Sequence, residues 1–197
     1  MDMALRERQK RHCLVDVMTV ETLQTGHVVL SPYNESHDAK TVEWLNSPEL
    51  QKTFGLTRSV SRESHRKWIE TAANSLIWAI STDVLGHCGN VLLHRNLHHH
   101  SAYFQIYLGE SQARGRGIGG SVLGLVLNYA FGPLLLHRVW LHTMPDNKTA
   151  ENLYRSSGFV EEGLERDVLY RDGLYQSQRR WSLLADEWQA RGKGTLR

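Results

Sequence analysis

The chain predicts a mixed α/β fold of the α+β kind: one sheet, mostly antiparallel, with helices packed on its faces. Three observations carry that expectation. Short apolar runs rich in β-branched and aromatic residues, 76–81, 89–94 and 102–108, follow one another too closely for a parallel crossover, so they must pair antiparallel. A strand, a glycine-rich loop, a helix, a second strand and a second helix then alternate over 102–158. The last two strand-like runs meet at Asp172-Gly173, a strong hairpin signal.

In order along the chain, residues 1–25 show no clean periodicity and are expected to form a mobile extension. The domain is expected over 26–186. Val28, Leu30 and Pro32 alternate with polar positions, as a half-buried strand would. Asn34 to Asp38 supply helix-start chemistry, and Val42, Trp44, Leu45 and Leu50 form a short apolar stripe that Asn46-Ser47-Pro48 ends. Ser61 caps a second helix with Glu63 in its first turn, and His65, Trp68, Ile69 and Ala72 share one face. After the three strands, Ile118, Val122, Leu125, Val126 and Tyr129 mark a helix that Gly132-Pro133 halts. Residues 138–143 read as a strand and 147–157 as a helix with Gly158 at its C′ position. Residues 187–197 are expected to be disordered.

At 197 residues the chain suits one domain with a sizeable core. A formal net charge of +2 gives no electrostatic case for nucleic acid, and no apolar run approaches the roughly 18 residues that span a bilayer. The N-terminus lacks the apolar centre of a secretory signal. Cys13 and Cys88 are expected to be reduced thiols in a cytoplasmic protein.

The loop Gln112–Ser121 holds four glycines and two arginines between a strand and a helix, an arrangement suited to an anion. Gly115-x-Gly117-x-x-Gly120 satisfies the dinucleotide pattern, yet the preceding strands are hairpin-linked and strand 138–143 ends without an acid. A triphosphate loop would need Gly-Lys-Ser/Thr, which is absent.

Arg114-Gly115-Arg116-Gly117-Ile118-Gly119 fits R/Q-x-x-G-x-G/A, and in this it resembles the pyrophosphate loop of the GNAT acetyltransferases. About thirty residues on, Asn147, Ala150, Tyr154, Gly158 and Phe159 stand in the register of that superfamily's second signature. The resemblance covers roughly 26–184, and the surrounding sequence is similar to the branch with ribosomal-protein N-terminal and amino-sugar acetyltransferases. It implies a GNAT-like sheet with a V-shaped splay between the fourth and fifth predicted strands, where acetyl-CoA inserts its pantetheine. Backbone N–H groups near Ile106 and Leu108 would meet the thioester carbonyl, and Arg114, Gly115, Arg116, Gly117, Ile118, Gly119 and Gly120 would hold the diphosphate. Tyr154 would be the general acid, and Asn147 would bond the pantetheine arm or a water.

The resemblance fixes no general base; Glu110, His142, His100 and Tyr107 are candidates by position. His98, His99 and His100, with His94, His87 and Cys88, are read as a solvated turn and its flanks rather than a metal site, and no metal is expected. The acceptor is expected to be a small-molecule amine such as an amino sugar, polyamine or antibiotic. A protein N-terminus and a non-catalytic acyl-CoA-binding module are the alternatives. Trp44, Phe54 and Trp68 would line the acceptor side in such folds, although each is read first as a core aromatic, and a homodimer is expected by analogy only.

Overall fold

The computed structural model describes residues 20–54, 59–171 and 173–192. The 1–19 part of the expected extension and the tail beyond 192 lie outside those residues. Eight strands form one sheet: β1 (Leu23–Thr25), β2 (Val28–Pro32), β3 (Ser75–Thr82), β4 (Gly86–Asn96), β5 (Ser101–Leu108), β6 (Arg138–Thr143), β7 (Val160–Arg171) and β8 (Leu174–Leu184). Their order is β1-β2-β3-β4-β5-β6-β8-β7, and every pair is antiparallel except β5 and β6.

Six α-helices accompany the sheet: α1 (Asp38–Leu45), α2 (Pro48–Phe54), α3 (Arg62–Thr71), α4 (Ile118–Phe131), α5 (Lys148–Ser156) and α6 (Ala185–Ala190). Alternation along the strands divides the core. Leu76, Trp78, Ile80, Val91, Leu93 and Phe104 face the main cluster, which Val122, Leu123, Val126 and Leu127 of α4 fill from above. Ile77, Leu92 and Tyr107 turn to the other face, where Trp44 and Leu50 of α1 and α2 cover them.

Three elements differ from the sequence expectation. Leu23–Thr25 pair with Val28–Leu30, so the sheet begins ahead of residue 26; three residues are too few to show a period. Pro48 does not end the helical region but starts α2, because proline at the first helical position loses no needed hydrogen bond. The expected disorder from residue 187 gives way to α6, whose Trp188 is buried against Phe131 and donates to Asn128 Oδ1 at 3.2 Å.

The parallel β5–β6 pairing is short. It runs only from Ser101↔Arg138 to Tyr103↔Trp140. From Phe104 onward β5 stays with β4 and parts from β6, which opens the expected splay.

Candidate active site

The phase of the β4–β5 ladder decides which groups face the gap. Gly109 N–H donates to Cys88 O at 2.9 Å. Leu108 and Gly89 therefore form the pair without mutual bonds, and so do Ile106 and Val91. Ile106 and Leu108 consequently turn their own N–H and C=O groups toward the gap, while Tyr107 bonds Asn90 across the ladder. The strand ends tightly: a Cβ on Gly109 would lie 1.9 Å from the Trp44 ring, so only glycine lets the chain pass there.

Arg114 closes this end of β5. Its Nε and Nη2 donate to Leu108 O at 3.2 and 3.0 Å, and its Nη1 pairs with Glu49 of α2. The guanidinium thus anchors the loop to the strand. Arg116 is exposed and, among the described residues, has no ion-pair partner.

Gly115 and Gly117 have φ of +71° and +76°, a left-handed backbone that costs an L side chain about 1–2 kcal/mol. A Cβ at either would meet nothing within 4 Å, so the space over the loop is open. Gly117 caps α4, and Ser121 N–H is the first to reach an intrahelical acceptor, Gly117 O at 3.1 Å. The amides of Gly117, Ile118, Gly119 and Gly120 precede it and have no acceptor within the helix. The Ile118 side chain is buried in the core, and Gly119 and Gly120 face Leu153 of α5 with room for a Cβ at ordinary contact distance. Free amides at a helix N-terminus, an open concavity and a nearby guanidinium fit a diphosphate.

Tyr154 projects from α5 into the main-cluster side of the gap, between the rings of Phe104 and Phe159. Burial pushes its phenol well above the ordinary tyrosine range, with Tyr103 adding to the effect. Among the described residues nothing hydrogen-bonds its hydroxyl. Asn147 is the N-cap of α5; its Oδ1 accepts from Ala150 N–H at 3.1 Å. It therefore fixes the start of the helix that carries Tyr154.

On the opposite face lies a cavity of about 380 Å³ between the sheet and α1 and α3. Its floor includes Gln105 and Tyr107, which belong to the half of β5 that has left β6. Tyr33, Asn90 and His65 also line it, and no local motif announces them; they converge only in the tertiary fold. Tyr33 Oη lies 3.0 Å from His65 Nε2 and donates to Asp38 Oδ1 at 3.1 Å. Asn90 Nδ2 donates to Tyr107 Oη at 2.7 Å and Thr41 Oγ1 at 2.8 Å. Trp44 is core, as its apolar stripe suggests, whereas Trp68 lines the cavity; the Phe54 side chain lies outside the described residues.

The base candidates separate. Tyr107 is buried, with its phenol pushed up to about 12. Glu110 pairs with Lys40 at 3.1 Å. His100 sits in the β4–β5 turn, where its carbonyl accepts from His137 and Arg138 N–H. His142 lies on β6 past the last β5–β6 pair, with Nε2 2.8 Å from Glu165 Oε2 and its ring 5.5 Å from that of Tyr103. Burial draws its pKa below the ordinary histidine range and Arg180 helps, while Glu165 opposes them. His98 and His99 are exposed in the turn; His94 bonds Ser75 and Gln105, and Cys88 is buried, its thiol pushed up to about 11. No cluster of metal-ligating side chains forms among the described residues, and no helix there is long and apolar enough to cross a membrane.

A family model of the acetyltransferase (GNAT) domain matches residues 27–160. The spermidine N(1)-acetyltransferase of Vibrio cholerae is 33% identical over 156 residues, covering 76% of this chain and 83% of that protein. The L-amino acid N-acetyltransferase AaaT of Escherichia coli is 27% identical over 147 residues, 72% of this chain and 88% of that protein. The solved Vibrio cholerae spermidine N-acetyltransferase, in complex with CoA and spermine, superposes with a TM-score of 0.77 at 22% identity, over 84% of this chain and 99% of that one. With the glycine loop and the splayed sheet, these similarities place the chain in the GNAT family, as an N-acetyltransferase that takes acetyl-CoA as its acetyl donor.

Proposed function

We propose that the enzyme acetylates the primary amine of a small molecule, by direct attack within a ternary complex. The observation that carries this reading is the position of the cavity. Its floor is the half of β5 that borders the gap, and Tyr154 stands on the gap's other side. An acceptor seated there would present its nitrogen to the gap without a covalent relay. A cavity of about 380 Å³ is also of a size that suits a small acceptor.

Acetyl-CoA supplies the activated acetyl thioester when bound. The amides of Gly117 to Gly120 and the charge of Arg116 hold its diphosphate, and Arg114 keeps the loop and β5 in register. The N–H groups of Ile106 and Leu108 are fixed donors aimed into the gap; one such donor is typically worth about 3 kcal/mol of barrier. Tyr154 holds a proton at Oη and delivers it to the departing thiolate, which leaves as the free thiol. Its raised pKa keeps it protonated at neutral pH, so the general acid is always loaded. Asn147 is a positioning residue that sets α5. His142, neutral and beside Glu165, accepts the ammonium proton.

The test is Tyr154→Phe, read by thiol release and by calorimetry with acetyl-CoA. The turnover number should drop by about 100-fold or more, with coenzyme affinity unchanged. Equal turnover in the two proteins would remove the assignment.

A further inference from the structure

We infer that the acceptor is a monoamine with an uncharged aromatic or branched apolar body, and not a polyamine. This rests on the acetyltransferase reading above and names its acceptor. Leu45, Val60, Ile77, Leu92 and Trp68 form the apolar wall of the cavity. Among the described residues no Asp, Glu, Lys or Arg lines it.

The polar groups in the wall already have partners. Tyr33 is engaged by Asp38 and His65, Asn90 by Thr41 and Tyr107, and Gln105 by His94. Behind Tyr33, the carboxylate of Asp38 is only 1% exposed and receives Arg66 Nε at 2.8 Å. Its charge is already matched. Trp68, the aromatic wall, has His65 stacked on it at 5.9 Å.

A polyamine would bring a second ammonium into this space. That group would lose its hydration and find no counter-charge, a cost that excludes it. A hydrocarbon or aromatic body loses nothing of that kind and gains from leaving water. The same wall therefore selects against the acceptor named for the Vibrio cholerae relative.

The experiment compares 2-phenylethylamine with spermidine on the full-length protein. Thiol release under saturating acetyl-CoA should give 2-phenylethylamine a kcat/KM about tenfold or more above that of spermidine. Equal values, or a preference for spermidine, would overturn the inference. Calorimetry on the CoA-saturated protein reads the same preference without turnover. If 2-phenylethylamine alone binds and neither amine is acetylated, the acceptor class stands and the acetyl-transfer reading falls. If neither binds, the inference falls. Ser64→Glu adds a second readout. Ser64 lines the cavity from an exposed position and completes a capping box with Ser61, a role that glutamate fills equally well. The new carboxylate should narrow the preference several-fold by raising kcat/KM for spermidine; an unchanged ratio would count against the inference.

Discussion

Tyr107, Glu110, His100 and His142 all come close to the gap in sequence, and folding gives each a different fate. Tyr107 holds a ladder position, but its hydroxyl accepts from Asn90 Nδ2 inside a buried bond set. Glu110 is neutralised by Lys40, and His100 is at the wrong end of β5. His142 alone of the four combines a place on the open half of β6 with a carboxylate beside one ring nitrogen, a contact that favours one tautomer. Its lowered pKa keeps it neutral, and so able to take a proton, to more acidic pH than an ordinary histidine. In kcat measured against pH, the rising limb of the wild type should lie below the usual histidine range. In His142→Gln that limb should vanish, with kcat down about 100-fold. A mutant that keeps the limb would move the role elsewhere. None of this was legible in the sequence, because local spacing says nothing about which face a strand turns to the gap. That Tyr154 and Asn147 share one helix and its cap was legible, because their spacing is helical.

At the scale of elements, the strands and helices with a clear period were readable, and the short ones were not. The glycine loop was the easiest of all: positive φ at Gly115 and Gly117 leaves a sequence mark that few other residues can replace. What the loop's arginines do was hidden, since Arg114 turns to Leu108 O and Glu49 only once β5 and α2 are beside it. The terminal hairpin is held to the rest of the sheet by a similar long-range pair. Arg138 on β6 reaches over β8 and donates to both oxygens of Glu162 on β7, at 2.6 and 2.7 Å, and Ser182 adds a third bond. The guanidinium bond holds the Glu162 carboxyl at about 2, with Ser182 assisting and burial opposing. The folded pKa is thus depressed, so the stabilisation is complete above the unfolded value of about 4.3 and is lost as pH falls toward 2. Thermal unfolding from pH 6 to pH 2.5 should show a smaller drop in Tm for Glu162→Gln than for wild type. Parallel curves would show that this pair has no part in acid unfolding.

Across the whole molecule, α4 joins two regions at its opposite ends. Its N-terminus carries the anion loop, and its C-terminal turn packs on Trp188 of α6, a separation of about 20 Å for a helix of 14 residues. Trp188→Ala should therefore destabilise the fold by about 3–5 kcal/mol in denaturant titration while leaving acetyl-CoA affinity unchanged in the folded protein. A change in affinity would show that the two ends of α4 are coupled. The sequence by itself determined the fold class and the helix that bears Tyr154, because these depend on periodicity, and the glycine loop, because few residues tolerate its backbone; the family showed through the resemblance of two motifs, 114–119 and 147–159. The tertiary structure alone decided where β5 leaves β6, which main-chain groups point into the opening, and that among the described residues no Asp, Glu, Lys or Arg lines the cavity. Those features are set by residues 33 to 107 and by β6 meeting across the sheet, and contacts between distant segments leave no spacing to read.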